Sequence, residues 1–221
     1  MTNGEILSHI DHTQLKAFAT WEDIAKLCDE AAECGTASVC VPPCYVRRIK
    51  DAYGDRLRIC TVVGFPLGYS VTEAKAAEVR QALVDGCDEI DMVVNISDVK
   101  NGLFDRVEEE IRALKEICGG HVLKVIVETC YLTEAEKIAM CHAVTEAGAD
   151  YIKTSTGFGT GGATREDVEL FKAHIGPNVK IKAAGGISTM EDLEDFLALG
   201  CDRIGTSKAV GLLRGEQSEG Y

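Results

Sequence analysis

The sequence predicts an α/β fold of the (β/α)8 TIM-barrel type, in a single domain. Three observations predict it. A glycine, then small or acidic residues, then a short apolar run recurs as "CGTASVCVP", "GCDEIDMVV", "GADYIKTST" and "GCDRIGTS". Successive copies lie roughly fifty to sixty residues apart, and a further strand-like run stands inside each interval. The stretches between runs carry helix start and stop signals.

In chain order, "SHIDHT" (8–13) is the first strand. Thr20 opens a helix over "WEDIAKLCDEAAEC" that Gly35 closes, with Ile24, Leu27, Cys28 and Ala31 on one face. Strands follow at 34–42 and at "LRICTVVGFP" (57–66). Thr72 opens a helix closed by Gly86, then comes the strand at 86–94. A helix fits "FDRVEEEIRALKEIC" (104–118), and "VLKVIVET" (122–129) is the next strand. Thr133 with Glu136 forms a capping-box pattern for a helix closed by Gly148, before the strand at 148–156. Thr164 opens a helix stopped by Gly176-Pro177, and "NVKIKAAGG" (178–186) follows. Thr189 opens a helix closed by Gly200, and the eighth strand spans 200–207. Threonine at the N-cap accepts from unpaired N–H groups, and glycine takes the left-handed conformation past the last turn. Strands alternating with helices pair in parallel through right-handed crossovers, and eight such units favour closure. An open doubly wound sheet is the alternative. The barrel is expected over residues 1–213, with a polar, mobile tail at 214–221.

The 221 residues, 46% hydrophobic, suffice for one sizeable core. A formal net charge of -13 argues against nucleic acid or an anionic membrane as the main partner. No apolar run is long enough for a membrane span, and the N-terminus lacks a signal-peptide pattern. The ten cysteines fall mostly on apolar faces, where they act as small hydrophobes. None makes a C-x-x-C pair, and Cys40 with Cys44 is a weak zinc signal without a second ligand pair. They read as reduced thiols of a cytoplasmic protein.

Barrel chemistry sits at the C-terminal ends of the strands. Asp91, Lys124, Lys153 and Lys182 occupy strand positions expected to project into the barrel. Any one of them could be a salt-bridged or outward-facing residue. Four around one axis point to a site, because charges are rarely buried without partners. A free lysine has a pKa of ~10.4, so few are neutral at pH 7. A second ammonium about 6 Å away, at an effective dielectric of ~20, disfavours the charged form by roughly 3 kcal/mol, or about two pKa units. Clustered lysines therefore suggest a nucleophilic amine and Schiff-base chemistry, with Asp91 as a proton-transfer partner.

"GFGTGG" (157–162), "AGGIST" (184–189) and "IGTSK" (204–208) follow the last three strands. Backbone N–H groups in such loops, two of them before helix starts, can hold phosphate without net positive charge. Gly157, Gly159 and Gly162 match the dinucleotide fingerprint formally, but no acid ends the following strand. The histidines are scattered. His142 and His174 are expected at the surface, and His9 and His12 flank Asp11 in a strand-end hydrogen-bonding cluster rather than a metal site.

Nearly the whole chain resembles the deoxyribose-phosphate aldolase family. The resemblance is carried by "IDHTQLK" (10–16), "ICTVVGFPLGYSVTEAKAAE" (59–78), "DEIDMVVNI" (88–96), "LKVIVETCYLT" (123–133), "AGADYIKTSTGFGTGGAT" (147–164) and "IKAAGGIST" (181–189). It implies reversible cleavage of 2-deoxy-D-ribose 5-phosphate to acetaldehyde and D-glyceraldehyde 3-phosphate, with no metal or other cofactor. Lys153 would form the Schiff base, Lys182 would keep it neutral and move protons, and Asp91 would relay them. Lys124 and Thr156 would support this network. Gly157, Gly185, Gly186, Ser188, Thr206 and Ser207 would bind phosphate. A homo-oligomer, dimer or tetramer, is the expected assembly.

The chain departs from relatives that carry arginine at the position of Ser188 or lysine at that of Phe158. Both changes remove positive charge near the phosphate. The C-terminal Tyr221 matches relatives whose last tyrosine reaches the site. Two other readings are a Schiff-base barrel aldolase with a different aldehyde donor and a non-catalytic phosphosugar-binding barrel.

Overall fold

A computed structural model describes residues 1–215. Tyr221 and most of the polar tail lie outside the described residues. The strands are β1 (Ile10–Thr13), β2 (Ser38–Val41), β3 (Ile59–Val63), β4 (Glu89–Val93), β5 (Val122–Ile126), β6 (Tyr151–Lys153), β7 (Lys180–Ala184) and β8 (Arg203–Thr206). They pair in parallel, each with its chain neighbour, and β8 returns to β1, so the sheet is a closed eight-stranded barrel. The doubly wound alternative is thereby excluded.

The helices are α1 (Asn3–Leu7), α2 (Trp21–Cys34), α3 (Val46–Tyr53), α4 (Thr72–Val84), α5 (Ile96–Lys100), α6 (Phe104–Cys118), α7 (Glu134–Glu146), α8 (Arg165–His174), α9 (Met190–Leu199) and α10 (Ala209–Leu213). Capping boxes at Thr20/Asp23, Thr133/Glu136 and Thr189/Asp192 start α2, α7 and α9. Each satisfies two N–H groups that the helix cannot pair itself. Thr164 caps α8 through Asp167 N–H.

Thr72 departs from its expected place. Val71 is the N-cap of α4, and Thr72 is already helical, with its hydroxyl on Glu110 of α6 at 3.3 Å. Glu110 is committed there because it pairs with Lys75 of α4 at 2.7 Å, and Lys75 also donates to Val93 O at 2.9 Å. This buried pair ties α4 and α6 to the end of β4. Burial lowers the Lys75 pKa more than Glu110 raises it. Helix α3 completes the β2–β3 crossover, for which the sequence reading had no helix. It is eight residues long, and Tyr45 at its N-cap makes no side-chain cap, so it lacks the usual start signal.

Strand alternation divides the interior. Ile90, Met92, Leu123, Val125, Ile152, Ile181 and Ile204 point outward into one apolar core with the helix faces. The opposite faces of the same strands carry the charges. All ten cysteines are free. No helix among the described residues is long and apolar enough to cross a membrane.

Candidate active site

Barrel register builds the site. Asp91 stands beside Lys124, Lys153 beside Lys182, and Lys182 beside Arg203. All four predicted charged residues meet inside the barrel. Asp91 Oδ2 accepts hydrogen bonds from both Lys153 and Lys182, each at 2.7 Å. Its Oδ1 accepts from Lys124 at 2.8 Å and from the Cys60 thiol at 3.1 Å. Lys182 has room because its neighbour is Gly205, where a Cβ would come within 3.1 Å of the Lys182 Cε.

Two bare ammonium groups side by side, as the lysine spacing alone suggests, are not what the barrel holds. Asp91 lies between them, and three further charged residues complete the cluster. Lys182 forms an ion pair with Asp11 Oδ2 at 2.5 Å, a contact of charges in which Asp11 Oδ2 accepts no aligned hydrogen bond. Lys124 pairs with Glu89 at 2.6 Å. Arg203 reaches Asp11 Oδ1 and pairs with Glu89 at 2.9 Å. Burial would push the Asp91 carboxyl up, but Lys124, Lys153 and Lys182 overcome it and hold it well below the usual aspartate range. Burial would push Lys182 down, but Asp11 and Asp91 raise it above the usual lysine value. Lys124 is raised in the same way, chiefly by Asp91 against burial. Three carboxylates thus face four buried cations, and the exposed Arg58 reaches Glu89 from outside at 3.6 Å. Three of the cations have a carboxylate besides Asp91 or instead of it, whereas Lys153 has only its share of Asp91.

Lys153 is also the member of the cluster that reaches the mouth. It lines a cavity of about 300 Å³ at the C-terminal ends of the strands, with Thr156, Gly157, Phe158, Gly185, Gly186, Ser188, Thr206, Ser207 and Lys208. Every predicted phosphate residue therefore borders the cavity that Lys153 faces. The loops meet backbone to backbone. A Cβ on Gly162 would approach Gly185 O to 2.2 Å, so this crossing requires glycine. Glu128 takes a left-handed conformation at φ 56 and is buried, with its carboxylate on the Thr156 hydroxyl at 2.5 Å. It anchors the loop that follows Lys153. Phe158 packs edge-on against Phe65, with centroids 5.3 Å apart.

The start of α9 is not the source of free donors. Its capping box, together with Ser188 N–H donating to Asp192 at 3.0 Å, already satisfies that end. Among the described residues, the amides of Gly157, Gly185, Gly186, Ile187 and Ser207 have no protein acceptor. They cluster on the cavity rim, a ready anion cradle. Lys208 joins them, and no carboxylate pairs with it among the described residues.

The sequence reading did not single out Glu89, Arg203, Glu128 or Lys208, and it placed Asp11 in a strand-end cluster. Strand periodicity could have found Glu89, which lies two residues before Asp91 on the same face. His12 is buried on Glu30 at 2.9 Å and His9 bonds Asp202 O at 2.8 Å, so neither joins the cluster. His142 and His174 are exposed. One group among the described residues gathers metal-ligating atoms, namely Cys40, Cys60 and Asp91.

Comparison with known proteins identifies the family. Residues 6–217 match the family described as DeoC/LacD family aldolases. A deoxyribose-phosphate aldolase of Clostridium botulinum is 71% identical over 100% of both chains. One of Clostridioides difficile is 54% identical over 98% of this chain and 99% of its own. The solved structure of a tetrameric deoxyribose phosphate aldolase from Aeropyrum pernix superposes with a TM-score of 0.88 at 32% identity, covering 97% of this chain and 92% of its own. A closed barrel with a lysine-centred interior and relatives of this closeness lead to one assignment: the chain belongs to the DeoC/LacD aldolase family.

Proposed function

We propose that the protein is a deoxyribose-phosphate aldolase working through a Schiff base on Lys153. The observation that carries this reading is the position of Lys153. It is the cation of the interior cluster that faces the cavity, and it shares its only carboxylate with Lys182. The buried cluster holds one more cation than carboxylates, and Lys153 is the cation with the fewest carboxylate contacts. A neutral amine at the mouth is the nucleophile that an aldehyde needs.

The reaction then runs as follows. Lys153 Nζ adds to C1 of open-chain 2-deoxyribose 5-phosphate, and loss of water gives the iminium. The C3 hydroxyl gives up its proton and the C2–C3 electron pair moves into the iminium, releasing D-glyceraldehyde 3-phosphate and leaving an enamine. Protonation of the enamine at C2 and hydrolysis release acetaldehyde and restore Lys153. Asp91 and Lys182, hydrogen-bonded to each other and to the nucleophile's neighbourhood, are the groups we assign to these proton transfers. Lys124 holds Asp91 in place, and Thr156, fixed by Glu128, shapes the loop beside the amine. The phosphate rests on the unpaired amides around Gly157, Gly185, Gly186 and Ser207, with Ser188 and Thr206 on the same rim.

The test is turnover of 2-deoxyribose 5-phosphate in the presence of a chelator, paired with borohydride trapping in acetaldehyde. A reduced two-carbon adduct on the Lys153 peptide is expected. Turnover without an adduct, or an adduct on another lysine, would contradict the assignment.

Lys208 answers the charge missing at Ser188 and Phe158. It supplies a cation on the same rim, and a charge-assisted hydrogen bond contributes ~1.5–3 kcal/mol. Lys208→Gln is expected to raise KM for the phosphorylated substrate roughly 10- to 100-fold. Cleavage of unphosphorylated 2-deoxyribose is expected to stay unchanged. Equal losses with both substrates would remove Lys208 from the phosphate site. For assembly we propose a homo-oligomer, on the strength of the tetramer named for the Aeropyrum pernix relative. Ten free thiols fit a cytoplasmic enzyme.

A further inference from the structure

Across the barrel from Lys182, two thiols are left without a task in this mechanism. Cys40 on β2 and Cys60 on β3 are register partners, and both are fully buried on the inner face. Their sulfurs and a carboxylate oxygen of Asp91 lie within 4.8 Å of one another. Leu15 and Phe65 pack over them, and Leu15 also borders the cavity. Cys44, whose spacing from Cys40 gave the weak zinc signal in the sequence, is exposed in a separate turn and does not take part.

We propose that Cys40, Cys60 and Asp91 form a binding site for a thiophilic divalent cation such as Zn²⁺ or Cd²⁺. The site overlaps the reactive centre, so an ion bound there blocks catalysis.

Geometry supports this. Zinc takes sulfur at ~2.3 Å and carboxylate oxygen at ~2.0–2.2 Å, so donors around a tetrahedral ion lie ~3.5–4 Å apart. Cys60 Sγ and Asp91 Oδ1 are 3.1 Å apart, and the three donors lie within 4.8 Å of one another.

Charge balance supports it too. The interior holds three carboxylates and four cations, a setting that would repel a bare divalent ion. Binding, however, breaks two S–H bonds, forms two metal–sulfur bonds and releases two protons to solvent. The charge of the interior is the same before and after.

The oxygen that would be taken is the replaceable one. Asp91 Oδ1 serves Lys124 and Cys60, and Lys124, which also donates to the Cys60 sulfur at 3.3 Å, keeps Glu89 at 2.6 Å when it releases both atoms. Asp91 Oδ2 can stay with Lys153 and Lys182. Thiolate ligands favour soft cations and reject magnesium and calcium. An ion here draws electron density from the carboxylate that serves Lys153, and it fills space beside the amine.

The inhibitory half of the inference rests on the aldolase reading, while the binding half does not. The experiment separates them. Reduced, metal-free protein is titrated with CdCl₂ while the ultraviolet thiolate-to-cadmium charge-transfer band and aldol cleavage are followed in parallel. One ion per chain is expected to bring up the band and abolish cleavage together. EDTA should reverse both, and Mg²⁺ should cause neither. Cys60→Ala and Cys40→Ser should each weaken both effects at least tenfold, whereas Cys44→Ser should leave them as in the parent. A band with full activity retained would overturn the inhibitory half. Undiminished binding in Cys60→Ala, or loss of it in Cys44→Ser, would overturn the site itself. Should the buried variants fail to fold, Co²⁺ bound to the unaltered protein decides the matter. A tetrahedral thiolate spectrum supports the site, and an octahedral one refutes it.

Discussion

Replacing Lys153 with alanine is expected to lower kcat for 2-deoxyribose 5-phosphate cleavage by on the order of 10⁴- to 10⁶-fold, the range for removing the nucleophile of a covalent mechanism. The fold should survive. Lys153 is the surplus cation of the interior, so its removal leaves no buried carboxylate unpaired: Asp91 keeps Lys182 and Lys124, Asp11 keeps Lys182 and Arg203, and Glu89 keeps Lys124 and Arg203. The melting temperature is therefore expected to move by only a few degrees, while borohydride labelling with acetaldehyde disappears. Lys153→Arg should be equally inactive, because a guanidinium stays protonated and cannot attack a carbonyl. Steady-state kinetics and peptide mass of the trapped adduct check this. Activity of Lys153→Ala within tenfold of the parent would end the Schiff-base assignment. A phosphosugar-binding barrel without catalysis would give no turnover in the parent protein at all.

Much of the fold was legible because barrels write it locally. Thr20, Thr133, Thr164 and Thr189 start their helices for reasons confined to a four-residue window, and Gly35 and Gly200 end theirs in left-handed conformation. Thr72 shows where local reading ends. Its hydroxyl turns to Glu110, thirty-eight residues away, because a buried Lys75 fixes Glu110 there. Nothing within α4 records that contact. Helix α3 lacks a local start signal, because Tyr45 at its N-cap makes no side-chain cap.

The site was legible in its members and less so in its balance. Strand position and period placed Asp91, Lys124, Lys153 and Lys182 on the inner face. Sequence spacing does not say which acid faces which base, so the lysines read as mutually repelling. The barrel resolves the repulsion with Asp11 and Glu89, and with Arg203 bridging the two. These lie on β1, β4 and β8, and only closure of the sheet brings them together. Lys208 is not legible in the sequence because a lysine in a loop carries no period, and its significance comes from the unpaired amides around it.

Asp91→Asn is expected to damage stability and rate together. The amide oxygen can accept from one or two of the three lysines, but its NH₂ group then faces an ammonium. Two carboxylates would be left against four buried cations. Breaking a buried pair in this way costs about 3–5 kcal/mol, and losing a group that moves protons costs ~10²- to 10⁴-fold in rate. The pH dependence separates the charge effect from simple packing. The Asp91 carboxyl is held well below its ordinary value of 3.8, so its contribution to stability is present above that value and is lost as pH falls through the folded-state value. Lys124 and Lys182 are raised above their ordinary 10.5, so theirs is present below that value and is lost as pH rises through the folded-state values. All these contributions are in place between about pH 5 and 9. Urea unfolding should therefore give the full difference between the parent and Asp91→Asn across that window. The difference should shrink once the pH falls below about 4, because the parent then loses what the variant never had. A difference under about 1 kcal/mol at pH 7, or one that stays constant down to pH 3, would mean that Asp91 does not hold the lysines by its charge.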